Sequence, residues 1–145
     1  DTAENAAGVA SGDYTSYSLR ANLYWYTGKY DAAIKLCEEG IEASGGDSDI
    51  YRNEAIAYML KGDYAKANEC GKNAYQFSMN YGDLTLDIIN TAALAAGLAK
   101  DDDTYKTLQD YLKTYNYEIS TVVTDCLAGK KTVEQVFITD GGVIS

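Results

Sequence analysis

The residues best suited to chemistry in this chain are its clustered carboxylates. Glu38, Glu39 and Glu42 are close enough in sequence for one to act as a general acid and another as a general base. On an amphipathic helix the same spacing describes a solvated face, with Lys35 four residues before Glu39 as its surface partner. We therefore expect these glutamates to be exposed and not catalytic.

Two aspartate clusters, residues 47–49 (Asp-Ser-Asp) and 101–103 (Asp-Asp-Asp), could be interpreted as calcium ligands. Neither cluster has the alternating spacing and the closing glutamate of an EF-hand loop. Both precede predicted helices, where aspartate caps free backbone N–H groups and complements the helix dipole. We predict that both clusters are helix caps and that neither is a metal site.

The sequence lacks the residues that usually activate a nucleophile or bind a phosphate. The chain has no histidine, which excludes Ser-His-Asp and Cys-His arrangements and histidine metal sites. Cys37, Cys70 and Cys126 form no C-x-x-C pair, so we expect small buried thiols, with one disulfide plus one free thiol as the alternative. Residues 129–132 (Gly-Lys-Lys-Thr) lack the glycine of a phosphate loop, because Thr124 stands at its position. We expect no catalytic residue, metal or cofactor.

Length and charge narrow the remaining classes. The chain has 145 residues, which suits one domain, and its formal net charge of −10 disfavours binding to nucleic acid. The longest uncharged stretch, Ile88–Ala99, is too short to span a membrane, so no membrane insertion is expected within this chain. The composition includes 14 tyrosines and no proline.

An internal repeat in the sequence indicates the secondary-structure elements on which these residues lie. A shift of the sequence against itself that places Tyr17 on Tyr51 superimposes seven pairs of identical residues without a gap. Within each copy the matches follow helical spacing, and a glycine stands where a first helix would end in a left-handed residue. Each unit is therefore predicted to be a pair of helices. The matched pairs are Tyr17/Tyr51, Ala21/Ala55, Tyr24/Tyr58, Gly28/Gly62, Tyr30/Tyr64, Ala33/Ala67 and Ser44/Ser78.

This pattern resembles the tetratricopeptide repeat (TPR) family, whose unit is a helix–turn–helix of about 34 residues. Both copies, 17–33 and 51–67, have a large aromatic, a small residue four positions on, a second aromatic and a G-x-Y-x-x-A turn. The chain departs from the family where leucine is usual (Arg20, Glu54) and where a closing proline is usual (Gly45, Met79).

The resemblance implies an all-α fold, a right-handed α-solenoid of about three to four antiparallel helical hairpins. We predict one TPR-like domain over residues 1–145, and we expect the array to continue upstream. Its predicted parts are the tail of a preceding helix (1–13), repeat 1 (14–47), repeat 2 (48–81), a divergent repeat 3 (82–116) and C-terminal capping helices (117–145), which include a capping box at Thr132–Gln135.

In the TPR family, ligands bind a concave groove lined by first helices. The resemblance places nine residues of this chain at the groove positions, and exposed apolar side chains beside asparagine would suit a peptide. The alternative is that they pack against the neighbouring hairpin. The predicted groove residues are Ser18, Asn22, Trp25, Tyr26, Asp49, Arg52, Ile56, Met59 and Asn90.

The predicted function is a non-catalytic scaffold that binds a protein or an extended peptide. The family's clamp for chaperone C-terminal carboxylates is excluded, since Ser18, Asp83 and Asp87 stand where it needs basic residues. The net charge favours a neutral to basic partner.

Two alternatives remain open. One is a structural or homo-oligomerising segment of a longer solenoid. The other is a carbohydrate- or small-molecule-binding accessory domain of an envelope protein, suggested by Trp25 and Tyr26. The composition is poor in Lys and Arg, which is more typical of an exported or envelope-tethered bacterial protein than of a cytoplasmic one, but it does not decide the compartment.

Overall fold

The computed structural model describes residues 14–141 and 143–145, and no strand occurs among them. The helices in this part of the chain confirm the predicted all-α class, and the first six pack on their neighbours in sequence. The predicted helix tail at residues 1–13 lies outside the described residues. The elements are α1 (Tyr14–Tyr26), α2 (Tyr30–Ser44), α3 (Ser48–Lys61), α4 (Tyr64–Tyr81), α5 (Leu86–Leu98), α6 (Asp102–Thr114), α7 (Thr121–Leu127) and a π-helical turn (Gln135–Thr139).

Aspartates cap the starts of three helices, α3, α4 and α6, and the sequence predicts the caps of α3 and α6. The Asp47 carboxylate accepts hydrogen bonds from the backbone N–H groups of Asp49 and Ile50, at 2.9 and 3.1 Å, where α3 begins. Asp101 accepts one from the N–H of Thr104 at 3.1 Å, where α6 begins. Both aspartate clusters therefore supply a capping side chain, because the first N–H groups of a helix have no partner within it.

Glycines end the first helix of each repeated pair. Gly28 follows α1 and Gly62 follows α3, with φ angles of +85° and +91°. Only glycine adopts this left-handed conformation without strain. These two turns join α1 to α2 and α3 to α4, and the joined helices pack along each other.

Small residues allow the helices to approach closely. Ala33 and Ala67, which are equivalent in the repeat, are completely buried. Gly71 in α4 faces the backbone of α5, where a Cβ atom on the glycine would come within 3.1 Å of the Ala92 Cα atom. The contact between α4 and α5 therefore depends on a residue without a side chain.

One side-chain interaction connects α1 to α3. Two more connect the start of α3 to residues at and just before the start of α5. Each links residues 35 positions apart, close to the length of one repeat, and each involves the N-terminal parts of the helices. The helices α1, α3 and α5 therefore lie side by side in parallel, with one surface in common, which we call the first-helix surface. The linked pairs are Ser18–Asn53, Ser48–Asp83 and Arg52–Asp87.

The chain after α7 folds back across the molecule. The predicted capping box is confirmed, since the N–H of Gln135 donates to Thr132 Oγ1 at 3.0 Å and the N–H of Thr132 donates to Gln135 Oε1 at 2.8 Å. The helix predicted after it is a single π-helical turn, Gln135–Thr139. We call residues 133–141 and 143–145 the C-terminal segment.

Candidate functional site: the first-helix surface

A hydrogen-bonded row of polar side chains connects α1 and α3 on the first-helix surface. The indole N–H of Trp25 donates to Asn53 Oδ1 at 2.8 Å. The amide of Asn53 in turn donates to Ser18 Oγ at 2.7 Å and to the backbone carbonyl of Asp49 at 2.9 Å. Asn53 is buried, and its donors and its acceptor are all engaged, so it fixes the orientation of the Trp25 ring.

An ion pair occupies the next position, between α3 and α5. The guanidinium of Arg52 pairs with the carboxylate of Asp87, and Arg52 Nη2 lies 3.3 Å from Asp87 Oδ1. The same Oδ1 atom accepts a hydrogen bond from the backbone N–H of Ile144 at 2.9 Å. Asp87 therefore holds the C-terminal segment by its backbone, and a charged acceptor makes such a bond stronger than a neutral one.

Asn90 on α5 is used in a similar way. Its Oδ1 atom accepts a hydrogen bond from the backbone N–H of Ser120 at 2.9 Å, and its amide donates to the Leu86 carbonyl at 2.9 Å. The side chain is 1% exposed. Asn90 thus ties the residue that precedes α7 to α5, and it is occupied by the chain itself.

The C-terminal segment contributes apolar side chains to the core. Phe137 is completely buried, and its ring meets that of Trp25 edge-on, with the centroids 6.2 Å apart. Val136 and Ile144 are also buried. Edge-to-face contact is a preferred geometry for aromatic pairs and adds to the gain from burial. The segment therefore covers part of the surface that the sequence predicts to be an open groove.

The segment runs opposite to the first helices. Its beginning, with Val133, lines a cavity of about 380 Å³ together with Met59 and Leu98, near the C-terminal ends of α3 and α5. Its end reaches Asp87, in the first turn of α5, through Ile144. The segment therefore passes along the first-helix surface from the C-terminal ends of the helices to their N-terminal ends.

The expected exposure of the groove residues is wrong for five of the nine. Asn22, Tyr26 and Asp49 are exposed, and Ser18 is half-buried. The other five are buried by neighbouring helices and by the C-terminal segment. The sequence predicts capping helices where this segment lies. For these five the alternative interpretation, packing against the chain itself, describes the structure. They are Trp25, Arg52, Ile56, Met59 and Asn90.

Asp87, Phe137 and Ile144 also contribute to this surface, and they are not among the predicted groove residues. Asp87 had a signal, because it stands one repeat unit after Asn53 and could have been expected to accept a hydrogen bond there. Phe137 lies within the predicted capping helices, and no pattern indicates its contact with Trp25. Ile144 comes two residues after a pair of glycines and has no periodic neighbours, so no pattern places it.

A second cluster, between α2, α3 and α4, contains the most strongly perturbed titratable groups. Glu54 is 6% exposed, and burial raises the pKa of its carboxyl to about 7, while a hydrogen bond from the Cys70 thiol, 3.3 Å long, lowers it and Glu38 raises it. Burial and the neighbouring Glu54 carboxylate raise the pKa of the Cys37 and Cys70 thiols well above their usual range. These thiols therefore stay protonated and are poor nucleophiles.

The three cysteines, all in the described part of the chain, are buried free thiols, as expected from their spacing. Within residues 14–141 and 143–145, no group of three or more acidic, cysteine or histidine side chains could hold a metal ion. Among the described helices, none is long and apolar enough to cross a membrane. In comparisons with known proteins, no protein-family model, no curated protein and no solved structure matches this chain.

Proposed function

We propose that this chain is a non-catalytic interaction module, a TPR-like right-handed solenoid whose first-helix surface binds an extended segment of a partner protein. The internal sequence repeat and the side-chain bonds between residues 35 positions apart support the repeated arrangement. The chemistry of the surface supports binding, since it offers buried acceptors and an aromatic ring.

The observation that carries this proposal is the contact between Asp87 and the backbone N–H of Ile144. An extended peptide presents backbone N–H groups and alternate side chains, and a binding groove for it needs fixed acceptors beside apolar pockets. The first-helix surface supplies an acceptor and an apolar contact to the C-terminal segment. Asp87 accepts the hydrogen bond of Ile144, and the ring of Trp25 packs against Phe137. A partner segment of similar shape would find the same groups.

The exposed residues of the surface provide a test that does not disturb the core. Peptides selected from a random display library on the full chain with Ile144→Ala, a change that weakens the hold of its own segment, should bind beside Asn22 and Tyr26. We expect Asn22→Ala and Tyr26→Ala, each added to that chain, to lower the affinity of the selected peptides at least about fivefold, with little change in the circular-dichroism melt.

Lys106→Ala provides the matched control, because Lys106 is an exposed residue of α6 whose partner is Asp110 on the same helix. Trp25 is the only tryptophan, so its fluorescence reports on the same surface. Peptides that bind the three variants equally and leave the Trp25 emission unchanged would contradict the proposal.

A second candidate is favoured by an exposed apolar stripe on α1. Leu19, Leu23 and Tyr26 follow each other at helical spacing, and each is more than half exposed. Such a face suits further helix packing, as in a structural or self-associating segment of a longer solenoid. The third alternative, a sugar-binding site, needed Trp25 and Tyr26 exposed together, and Trp25 is 2% exposed.

Sedimentation equilibrium separates the two candidates. If α1 is an association face, the chain should dimerise with rising concentration, and Leu19→Glu with Leu23→Glu should return it to a monomer. A chain that stays monomeric at high concentration removes the support for self-association and leaves the binding of a partner segment as the better account.

A further inference from the structure

The C-terminal segment is held by apolar side chains around Phe137 and again at Ile144. Val136, Phe137 and Ile144 are buried, and Ile138 packs on the core. Thr139, Asp140 and Val143 are exposed, and Asp140 pairs with Lys131. A segment with few buried contacts between its anchors can detach locally at a lower free energy than the unfolding of the helices. Release of the segment at Ile144 should therefore cost less free energy than unfolding of the helices.

The segment also leaves space at its beginning. The cavity of about 380 Å³ beside Val133 is lined by Met59 and Leu98, both from first helices. The cavity is open to solvent and is lined also by Lys61, Lys131 and Glu134, and it has room for a side chain longer than that of Val133. The segment is thus a less complete occupant of this end of the surface than a bulkier one would be.

The charge of the segment is matched at its beginning but not at its end. Asp140 pairs with Lys131 at 2.9 Å, and Glu134 lines the same cavity as Lys61 and Lys131, whereas residues 143–145 have no charged side chain. At the other end of the surface, burial raises the pKa of Asp49, and nearby charges act on it as well. The carboxylates of Asp47, Asp83 and Asp87 raise the pKa of Asp49 further, and the guanidinium of Arg52 lowers it. Acidic groups thus outnumber basic ones where Ile144 binds.

We propose that the C-terminal segment is a tethered occupant of the first-helix surface that a partner segment displaces. The partner segment carries an aromatic anchor for the place of Phe137, an aliphatic anchor about seven residues later for the place of Ile144, and a net positive charge. This inference rests on the proposed function and names the partner's chemistry. Displacement follows from the two-point attachment, and the positive charge follows from the acidic surroundings.

The tether predicts an unusual mutational effect. A tethered segment competes at an effective concentration in the millimolar range, so a free peptide binds the wild-type chain weakly. Weakening the tethered anchor should therefore strengthen the binding of a free peptide. Ile144 and Val143 form a matched pair for this purpose, since Ile144 is 1% exposed and Val143 is 72% exposed.

The experiment measures fluorescence anisotropy of two labelled peptides added to the full chain. One peptide has the sequence of residues 133–145, and the other carries V143K and S145K, which place lysines on both sides of Ile144, beside Asp87. We expect both to bind the Ile144→Ala chain at least about tenfold more tightly than the wild-type and Val143→Ala chains. The lysine peptide should bind more tightly than the native sequence, and this preference should shrink at ~0.5 M salt.

Each result decides a separate statement. Equal binding to the wild-type, Ile144→Ala and Val143→Ala chains overturns displacement, while the proposed function survives. Equal binding of the two peptides overturns the basic partner. If neither peptide binds a folded Ile144→Ala chain, the proposed function fails as well. Circular dichroism checks the fold, and Ile144→Val, which removes one methyl group, gives a graded version of the test if the alanine variant unfolds.

Discussion

Asn53 and Asp87 stand one length of the sequence repeat apart, and each accepts a hydrogen bond on the first-helix surface. Asn53 receives the indole N–H of Trp25, whereas Asp87 receives the backbone N–H of Ile144. The neutral acceptor serves a contact between helices. The charged one, paired with Arg52, serves the C-terminal segment. One repeated position thus supports both the stacking of the helices and the attachment of the segment.

The first prediction concerns Asn53. Asn53→Ala leaves the buried indole N–H of Trp25 and the neighbouring Ser18 hydroxyl without this partner, so we expect the free energy of unfolding to fall by about 1–3 kcal/mol. Asn22→Ala, on the exposed side of α1, should change it by less than about 0.5 kcal/mol. Urea unfolding followed by circular dichroism measures both, and equal losses in the two variants would show that the Trp25 bond contributes nothing specific.

The second prediction concerns the pH dependence caused by Glu54. Its pKa is raised from 4.5 to about 7, so the folded chain keeps this proton in a range where the unfolded chain has lost it. The folded state binds more protons there, and its stability must fall as the pH rises from about 4.5 to about 7 and stay level above. A shift of this size corresponds to about 3 kcal/mol.

Glu54→Gln removes this titration and can still accept the hydrogen bond of the Cys70 thiol. We expect the variant to match the wild-type chain near pH 4.5 and to be more stable at pH 8, measured by urea unfolding across the range. Glu42→Gln, at an exposed position of α2, should leave the slope unchanged. Parallel curves for Glu54→Gln and the wild type would rule out a buried proton on Glu54.

The third prediction concerns the close contact of α4 and α5. In an isolated helix Gly71→Ala would gain about 1 kcal/mol, but here the new Cβ would meet the Ala92 backbone at 3.1 Å. Overpacking of this kind costs about 1–3 kcal/mol, so we expect a net loss of stability. Asn73→Ala, on the exposed side of the same helix, should be neutral or stabilising. If Gly71→Ala raises the melting temperature, the helices are not in the close contact described.

Local signals in the sequence predict most of the helical elements. Asp47 and Asp101 cap helices because a short carboxylate reaches the free N–H groups of the first turn, and this depends only on neighbours in sequence. Gly28 and Gly62 end helices for an equally local reason. The repeat adds long-range information, because residues that match from one unit to the next must be packed in equivalent ways.

The path of the C-terminal segment could not be predicted in the same way. The bond between Ile144 and Asp87 joins residues 57 positions apart and corresponds to no multiple of the repeat. Thr132 and Gln135 predict that a helical turn begins, but no local pattern indicates that the chain then crosses the first-helix surface. Phe137 on that path meets the ring of Trp25, which is buried where the sequence predicts exposure.

The last prediction uses Trp25 as a reporter of the C-terminal segment. Phe137→Ala removes the ring that meets the indole edge-on, and the loss of this anchor should let water reach Trp25. We expect the emission to move to longer wavelength. If the segment detaches locally, the loss of helix stability should remain below the about 3–5 kcal/mol typical of a phenylalanine deleted from a core.

Phe77 provides the control for this prediction, because it is the only other phenylalanine and stacks on Tyr81, with the ring centroids 4.8 Å apart. Phe77→Ala should leave the Trp25 emission unchanged. An unchanged emission in Phe137→Ala would mean that the helices alone shield the indole. If Phe137→Ala instead loses the full ~3–5 kcal/mol of stability and all helices melt together, the segment is an integral part of the core. In that case no partner could displace it from a folded chain.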